Sequence, residues 1–206
     1  MVLDEITASK TEYNSNDYKI THILIDDERV ELPKMWQQIA YDLKLTSDDR
    51  QLLSIHFDGI DSLYHELYRQ DTGLCTEWRK MTDTKQSSKY RIHDGKLEYI
   101  TYKGKALKPH VRDRAWNDKN RRNYYLCVDS GYVHRLTAQA IRRKDKLDKE
   151  LRIHHRLIDE TATARGNSLG YLVVLDKADH DRLHEMLGLM AQYVKFGYVE
   201  QMELNV

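Results

Sequence analysis

Cysteine, proline and phenylalanine each occur only twice in this 206-residue chain, and glycine only nine times. Cys75 and Cys127 lie far apart and form no CxxC pair. A reducing, intracellular setting fits, with both thiols as ordinary small apolar residues. No run approaches the ~20 apolar residues that a membrane span needs, so no membrane association is expected. The opening residues, Met1 to Ile6, carry neither a basic n-region nor an apolar h-region, and no secretory signal is expected. No net charge is present either. What is present is 40% apolar residues, enough to bury a core, and 32% charged residues, which mark a soluble protein. The length suits one large domain or two small ones.

The zero charge is a sum of unlike halves. Residues 1–88 hold 10 Lys+Arg against 17 Asp+Glu, and residues 89–206 hold 23 against 16. Most of the basic excess falls in 89–150, the footprint expected for a phosphate-backbone ligand. The polar stretch Thr82 to Ser88 is taken as the boundary. It separates an acidic N-terminal region (1–88) from a basic C-terminal domain (89–206).

The pattern predicts an α+β protein. In the first half, Ile20 to Leu32 reads as two short strands about an acidic turn, and Pro33 opens a helix to about Lys44. Ser47 caps a helix through Ile55, and Ile60 to Gln70 is helical. In the second half, Tyr90 to Thr101 alternates about Asp94-Gly95, a hairpin signal. Lys103 to Arg122 reads as a basic loop, Asn123 to Val128 as a strand, and Tyr132 to Arg143 as an amphipathic helix. Leu151 to His155 and Leu172 to Leu175 are strands, joined by a loop from Arg156 to Gly170. Asp176 then caps a helix from about Lys177 to Tyr193, with Asp179 as a reciprocal partner. Leu183, Leu187 and Met190 form its buried stripe.

Four of the ten histidines fall between 154 and 184. His180 and His184 stand one turn apart on a helix face and can grip one divalent ion. His154 and His155 are neighbours on a strand and point opposite ways. The natural division is one ligand and one imidazole beside the metal, a candidate general base. His134 is expected to pack or hydrogen-bond, and Cys127 to lie in the core. Asp159, Glu160 and Asp179 are candidate partners for ligating rings.

Residues 150–186 resemble an HNH nuclease, the ββα-metal family. The likeness lies in Ile153-His154-His155, Leu172-Val-Val-Leu, Asp179-His180 and Leu183-His184. Phage and homing-type members also resemble the flanking segment from Tyr90 through Val133-His-Arg-Leu-Thr-Ala-Gln-Ala-Ile. The resemblance covers about 89–190 and implies a C-terminal ββα-metal (His-Me finger) core over about 150–193. A small strand and helix segment would precede that core, and 1–88 would form a separate mixed α/β region.

The resemblance implies His155 as general base and His154, His180 and His184 as metal ligands, in the colicin-DNase arrangement. The family's loop-bracing Asn position falls on Tyr171, and Asn167 is the nearest substitute. The implied reaction is single-metal hydrolysis of double-stranded DNA. Three His ligands favour Zn²⁺, Ni²⁺ or Mn²⁺ over Mg²⁺. Lys103, Lys105, Lys108, Arg112, Arg114, Lys119, Arg121 and Arg122 are the expected phosphate contacts. Tyr99, Tyr102, Tyr124 and Tyr125 can lie along a backbone or stack on bases. The cytoplasm of a bacterial or phage-infected cell is the implied setting. The rival reading is a non-catalytic DNA-binding protein with a structural zinc ββα unit. A further idea is a toxin or packaging component whose residues 1–88 bind a partner protein.

Overall fold

The computed structural model describes residues 22–25, 28–70, 75–115, 122–129 and 131–194. It is a mixed α+β protein. Five helices and four small antiparallel sheets are seen among the described residues. No helix among them is long and apolar enough to cross a membrane. The chain divides into two compact units, one of residues 59–177 and one of 1–58 with 178–206.

The 59–177 unit is built around α3 (Leu63–Arg69), α4 (Val133–Ile141) and three sheets. Strands β3 (Arg79–Lys80), β4 (Lys89–His93) and β5 (Lys96–Ile100) form one meander. The polar 82–88 stretch is the loop of its first hairpin, closed where the Met81 amide donates to the Ser88 carbonyl at 2.7 Å. Asp94 and Gly95 turn the second hairpin with φ of 49° and 71°. Both values are positive, as a two-residue type I′ turn demands, and an Asp-Gly pair tolerates them.

Strand β6 (His110–Ala115) pairs along its length with β7 (Arg122–Val128), and β7 pairs with β8 (Gly131–Tyr132). The basic run expected as a loop therefore contains a strand. His-Val-Arg-Asp-Arg-Ala shows no apolar alternation because side chains on both faces of this strand are wet: His110, Val111, Arg112 and Asp113 are all exposed. Periodicity cannot mark a strand that buries neither face.

Helix α4 is apolar on most of its surface and packs on β4. The core of this unit gathers Leu63, Leu67, Tyr90, Ile92, Leu136, Ile141 and Leu172. Burial raises the Tyr90 phenol to about 12, and its hydroxyl donates to Gln139 at 3.3 Å. A two-pronged ion pair, Arg142 to Glu66 at 2.9 and 3.1 Å, clasps α4 to α3. Ile60 and Gln70, expected within α3, lie outside it.

The last hairpin of this unit joins β9 (Leu151–His155) to β10 (Leu172–Asp176), with His154 opposite Val173 and His155 opposite Leu172. Opposed residues share a face. His155 therefore shares the core-facing side with Leu172, and His154 takes the other. Helix α5 (Lys177–Gln192) starts at the residue after β10.

The second unit contains the hairpin β1 (His22–Ile25) and β2 (Glu28–Glu31), then α1 (Leu32–Asp42) and α2 (Ser47–Asp58), with α5 completing it. Residues 26–27, between the two expected strands, lie outside the described set. The cap of α2 is Thr46, one residue before the expected Ser47. The Thr46 hydroxyl accepts from the Asp49 amide, and the Asp49 carboxylate accepts from the Thr46 amide, both at 3.2 Å. This reciprocal pair satisfies two orphan donors at once. Asp49 also receives Arg182 of α5 at 2.8 and 3.0 Å. That guanidinium, more than any other group, holds the Asp49 carboxyl down to about 2. Leu183, Met186, Leu187 and Met190 are the buried stripe of α5.

Candidate metal centre

His154, His180 and His184 each offer one ring nitrogen, and these three atoms lie within 4.8 Å of one another. His180 and His184 tilt at 38° with ring centroids 4.5 Å apart, the direct result of their one-turn spacing. Burial pushes the His184 imidazole down to about 4, and His180 acts in the same sense. At neutral pH the ring is therefore uncharged and keeps a lone pair for a cation. His154 is 1% exposed. Three imidazoles, one buried and two half-buried, suit a borderline ion of the zinc or nickel kind.

His155 lies outside this trio. It ends β9, is 7% exposed, and meets His134 edge-on with ring centroids 4.9 Å apart. Tyr125 lies 6.4 Å from it. Its Nε2 stands 3.4 Å from Asn167 Oδ1. The Asn167 amide nitrogen is committed elsewhere, donating to the carbonyls of Thr161 at 2.8 Å and Thr163 at 2.7 Å. That leaves the oxygen facing His155, so Nε2 is the nitrogen that donates to it.

The 156–170 loop is held by its own atoms. The Thr163 hydroxyl donates to the Glu160 carbonyl at 3.1 Å and accepts from the Gly166 amide at 3.0 Å. Arg165 pairs with Glu160 at 3.1 Å. A Cβ on Gly166 would collide with the Glu160 backbone, so the turn needs glycine there. Thr161 fastens the loop to β7: its hydroxyl donates to the Tyr124 carbonyl at 2.6 Å, and its carbonyl accepts from the Leu126 amide at 3.2 Å. Tyr171 faces the guanidinium groups of Arg156 and Arg165, 5.8 and 5.6 Å from its ring centre.

The remaining expected residues scatter. Lys103, Lys105, Lys108 and Arg112 are exposed along the segment from β5 to β6. Arg114 and Arg122 occupy ribbon positions, in register with Asn123 and Ala115. Lys119 and Arg121 lie outside the described residues. Tyr102 and Tyr124 are exposed, whereas Tyr99 and Tyr125 are half-buried. Of the candidate partners for ligating rings, Glu160 is engaged by Thr163 and Arg165.

His134 packs as expected. It stacks on Tyr132, and its buried Nδ1 has no hydrogen-bond partner. Burial, followed by the charge of His155, holds its imidazole well below the usual range. Cys127 is fully buried, while Cys75 is exposed rather than packed as a small apolar residue. It sits in an isolated bridge to His93, outside any strand long enough to cover it. Sequence reading passed over Thr161 and Thr163. The only signal for them was a pair of hydroxyl residues spaced by two in a loop, a common trait of surface turns.

No family model, curated protein or solved structure matches this chain. The site therefore rests on its own geometry.

Proposed function

We propose that this chain is a metal-dependent endonuclease of the HNH type that hydrolyses phosphodiester bonds of double-stranded DNA. One observation carries the reading: three imidazole nitrogens gather within 4.8 Å on the β9, β10, α5 succession, next in sequence to a histidine braced by Asn167. A divalent cation held by His154, His180 and His184 would supply the positive charge that phosphoryl transfer to water needs at the leaving 3′ oxygen. His155 acts as the base. Asn167 orients its ring through Nε2. The Asn167 grip on Thr161 and Thr163 stiffens the loop that follows β9 and so steadies the oxygen that meets that ring. Exposed Lys103, Lys105, Lys108 and Arg112 hold phosphates of the duplex.

A second reading has its own support. His155 is only 7% exposed and shares a hairpin face with core Leu172, which suits a structural histidine beside a closed zinc site in a DNA-binding protein. Plasmid nicking with Mg²⁺, Mn²⁺, Ni²⁺ or Zn²⁺ separates the two. The endonuclease reading expects His155→Ala to abolish nicking while calorimetric metal affinity stays nearly unchanged, and His184→Ala to lose the metal. Binding to DNA without nicking under all four metals, or equal nicking by His155→Ala and the parent, overturns it.

A further inference from the structure

Three half-buried arginines of the 59–177 unit each meet a carboxylate: Arg79 pairs with Asp145, Arg91 with Glu98 and Arg142 with Glu66. Two others depart from that pattern. Arg135 stands in the first turn of α4, Arg152 is the second residue of β9, and α4 packs against β9. Both are half-buried, yet neither has a carboxylate partner among the described residues. The Arg135 guanidinium makes no hydrogen bond among them, and burial, then the charge of Arg152, pushes it below its usual value. Arg152 donates from Nη1 to the carbonyls of Lys149 and Leu151, which pins its plane to the start of β9. Its Nε and Nη2 hydrogens meet no acceptor among the described residues, and that edge is the one that grips an oxyanion with two prongs. A half-buried charge costs free energy unless an opposite charge compensates it, and a like charge beside it raises the cost. The fold therefore holds two guanidiniums against their repulsion and brings no carboxylate of its described residues to them.

We propose that Arg135 and Arg152 form a binding site for a phosphate-type dianion, either free phosphate or the end of a phosphomonoester, at the junction of α4 and β9. Two positive charges match a dianion, and planar guanidinium forks match its oxygens. A monocarboxylate brings only half that charge. Neither arginine belongs to the imidazole trio or to the exposed segment assigned to duplex phosphates, and the inference does not rest on the endonuclease reading.

The test is calorimetric titration of the full chain with sodium phosphate, in EDTA and at constant ionic strength, with acetate as the comparison anion. The parent is expected to bind phosphate and to bind acetate far more weakly. Arg135→Gln and Arg152→Gln are each expected to weaken phosphate binding roughly tenfold, the loss of one charge-assisted pair. Arg135→Lys is expected to keep most of the affinity, and Lys85→Gln, at an exposed site elsewhere, to bind as the parent does. Phenyl phosphate distinguishes the sources: binding as tight as that of inorganic phosphate supports a monoester end, and its exclusion supports free phosphate. Thermal melting in chloride guards against misfolding, because removal of a repelled charge is expected to leave the Tm of Arg135→Gln at or above that of the parent. No phosphate binding by the parent, acetate binding as tight as phosphate, parent-like binding by both glutamine variants, equal weakening by Lys85→Gln, or a lowered Tm for Arg135→Gln in chloride overturns the proposal.

Discussion

Replacing Asn167 by alanine isolates the brace of the His155 loop. Asn167 is 5% exposed and makes three side-chain hydrogen bonds: two as donor, to Thr161 and Thr163, and one as acceptor, from His155. Each donor bond is worth about 1 kcal/mol net. The two carbonyls are not stranded by its loss, because the Leu126 amide still serves Thr161 and the Asn167 backbone amide still serves Thr163. The small void left behind adds a further fraction, for about 2–3 kcal/mol in all. In a chain of this length that lowers Tm by roughly 4–10 °C. Thermal unfolding followed by circular dichroism measures it. Asn167→Asp supplies the control. It keeps the size and the acceptor but loses both donors, and it turns a carboxylate toward two carbonyls, so it should cost at least as much as alanine. A loss under about 0.5 kcal/mol for alanine, or a milder effect for aspartate than for alanine, would refute the claim that donation stiffens this loop.

Two further outcomes follow from the geometry. Asp49 is held at about 2 in the fold against an ordinary 3.8. A depressed carboxyl stabilises above its unfolded pKa, so its contribution is complete above pH 3.8 and drains away as pH falls toward 2. Discounted for the partly exposed Arg182, it is worth about 1–2 kcal/mol. Urea midpoints at pH 5 and pH 2.5 should therefore converge between the parent and Asp49→Asn, and a constant gap would reject the ion pair as its source. Gly166→Ala forces a methyl onto the Glu160 backbone. It should destabilise by about 1–3 kcal/mol and speed amide exchange at 161–168, whereas unchanged exchange would show that the loop has room to relax.

The sequence marks some of this architecture sharply and leaves other parts invisible. Asp94-Gly95, the Leu-Val-Val-Leu strand and the His180–His184 spacing each carry a local physical signal, and the structure places a turn, a strand and a ring pair there. The β6 strand had no such signal, because charged residues on both faces erase the alternation that burial normally imposes. The α2 cap fell to Thr46 rather than Ser47 because the reciprocal bond with Asp49 requires a spacing of three. Asn167 was legible as a candidate, but its three partners were not. Those partners depend on Thr161 and Thr163 folding back, which only the finished loop decides.

The Asp49–Arg182 pair joins residues 133 apart in sequence. A nascent chain leaving the ribosome therefore exposes α1 and α2 long before the helix that completes their unit has been made. The intervening 59–177 segment is continuous in sequence and is complete before α5 is made. Synthesis order and assembly order then run crosswise, and the acidic opening stretch must stay soluble through the wait. A truncation that removes α5 takes away His180 and His184 and also leaves the earliest-made helices without their clasp.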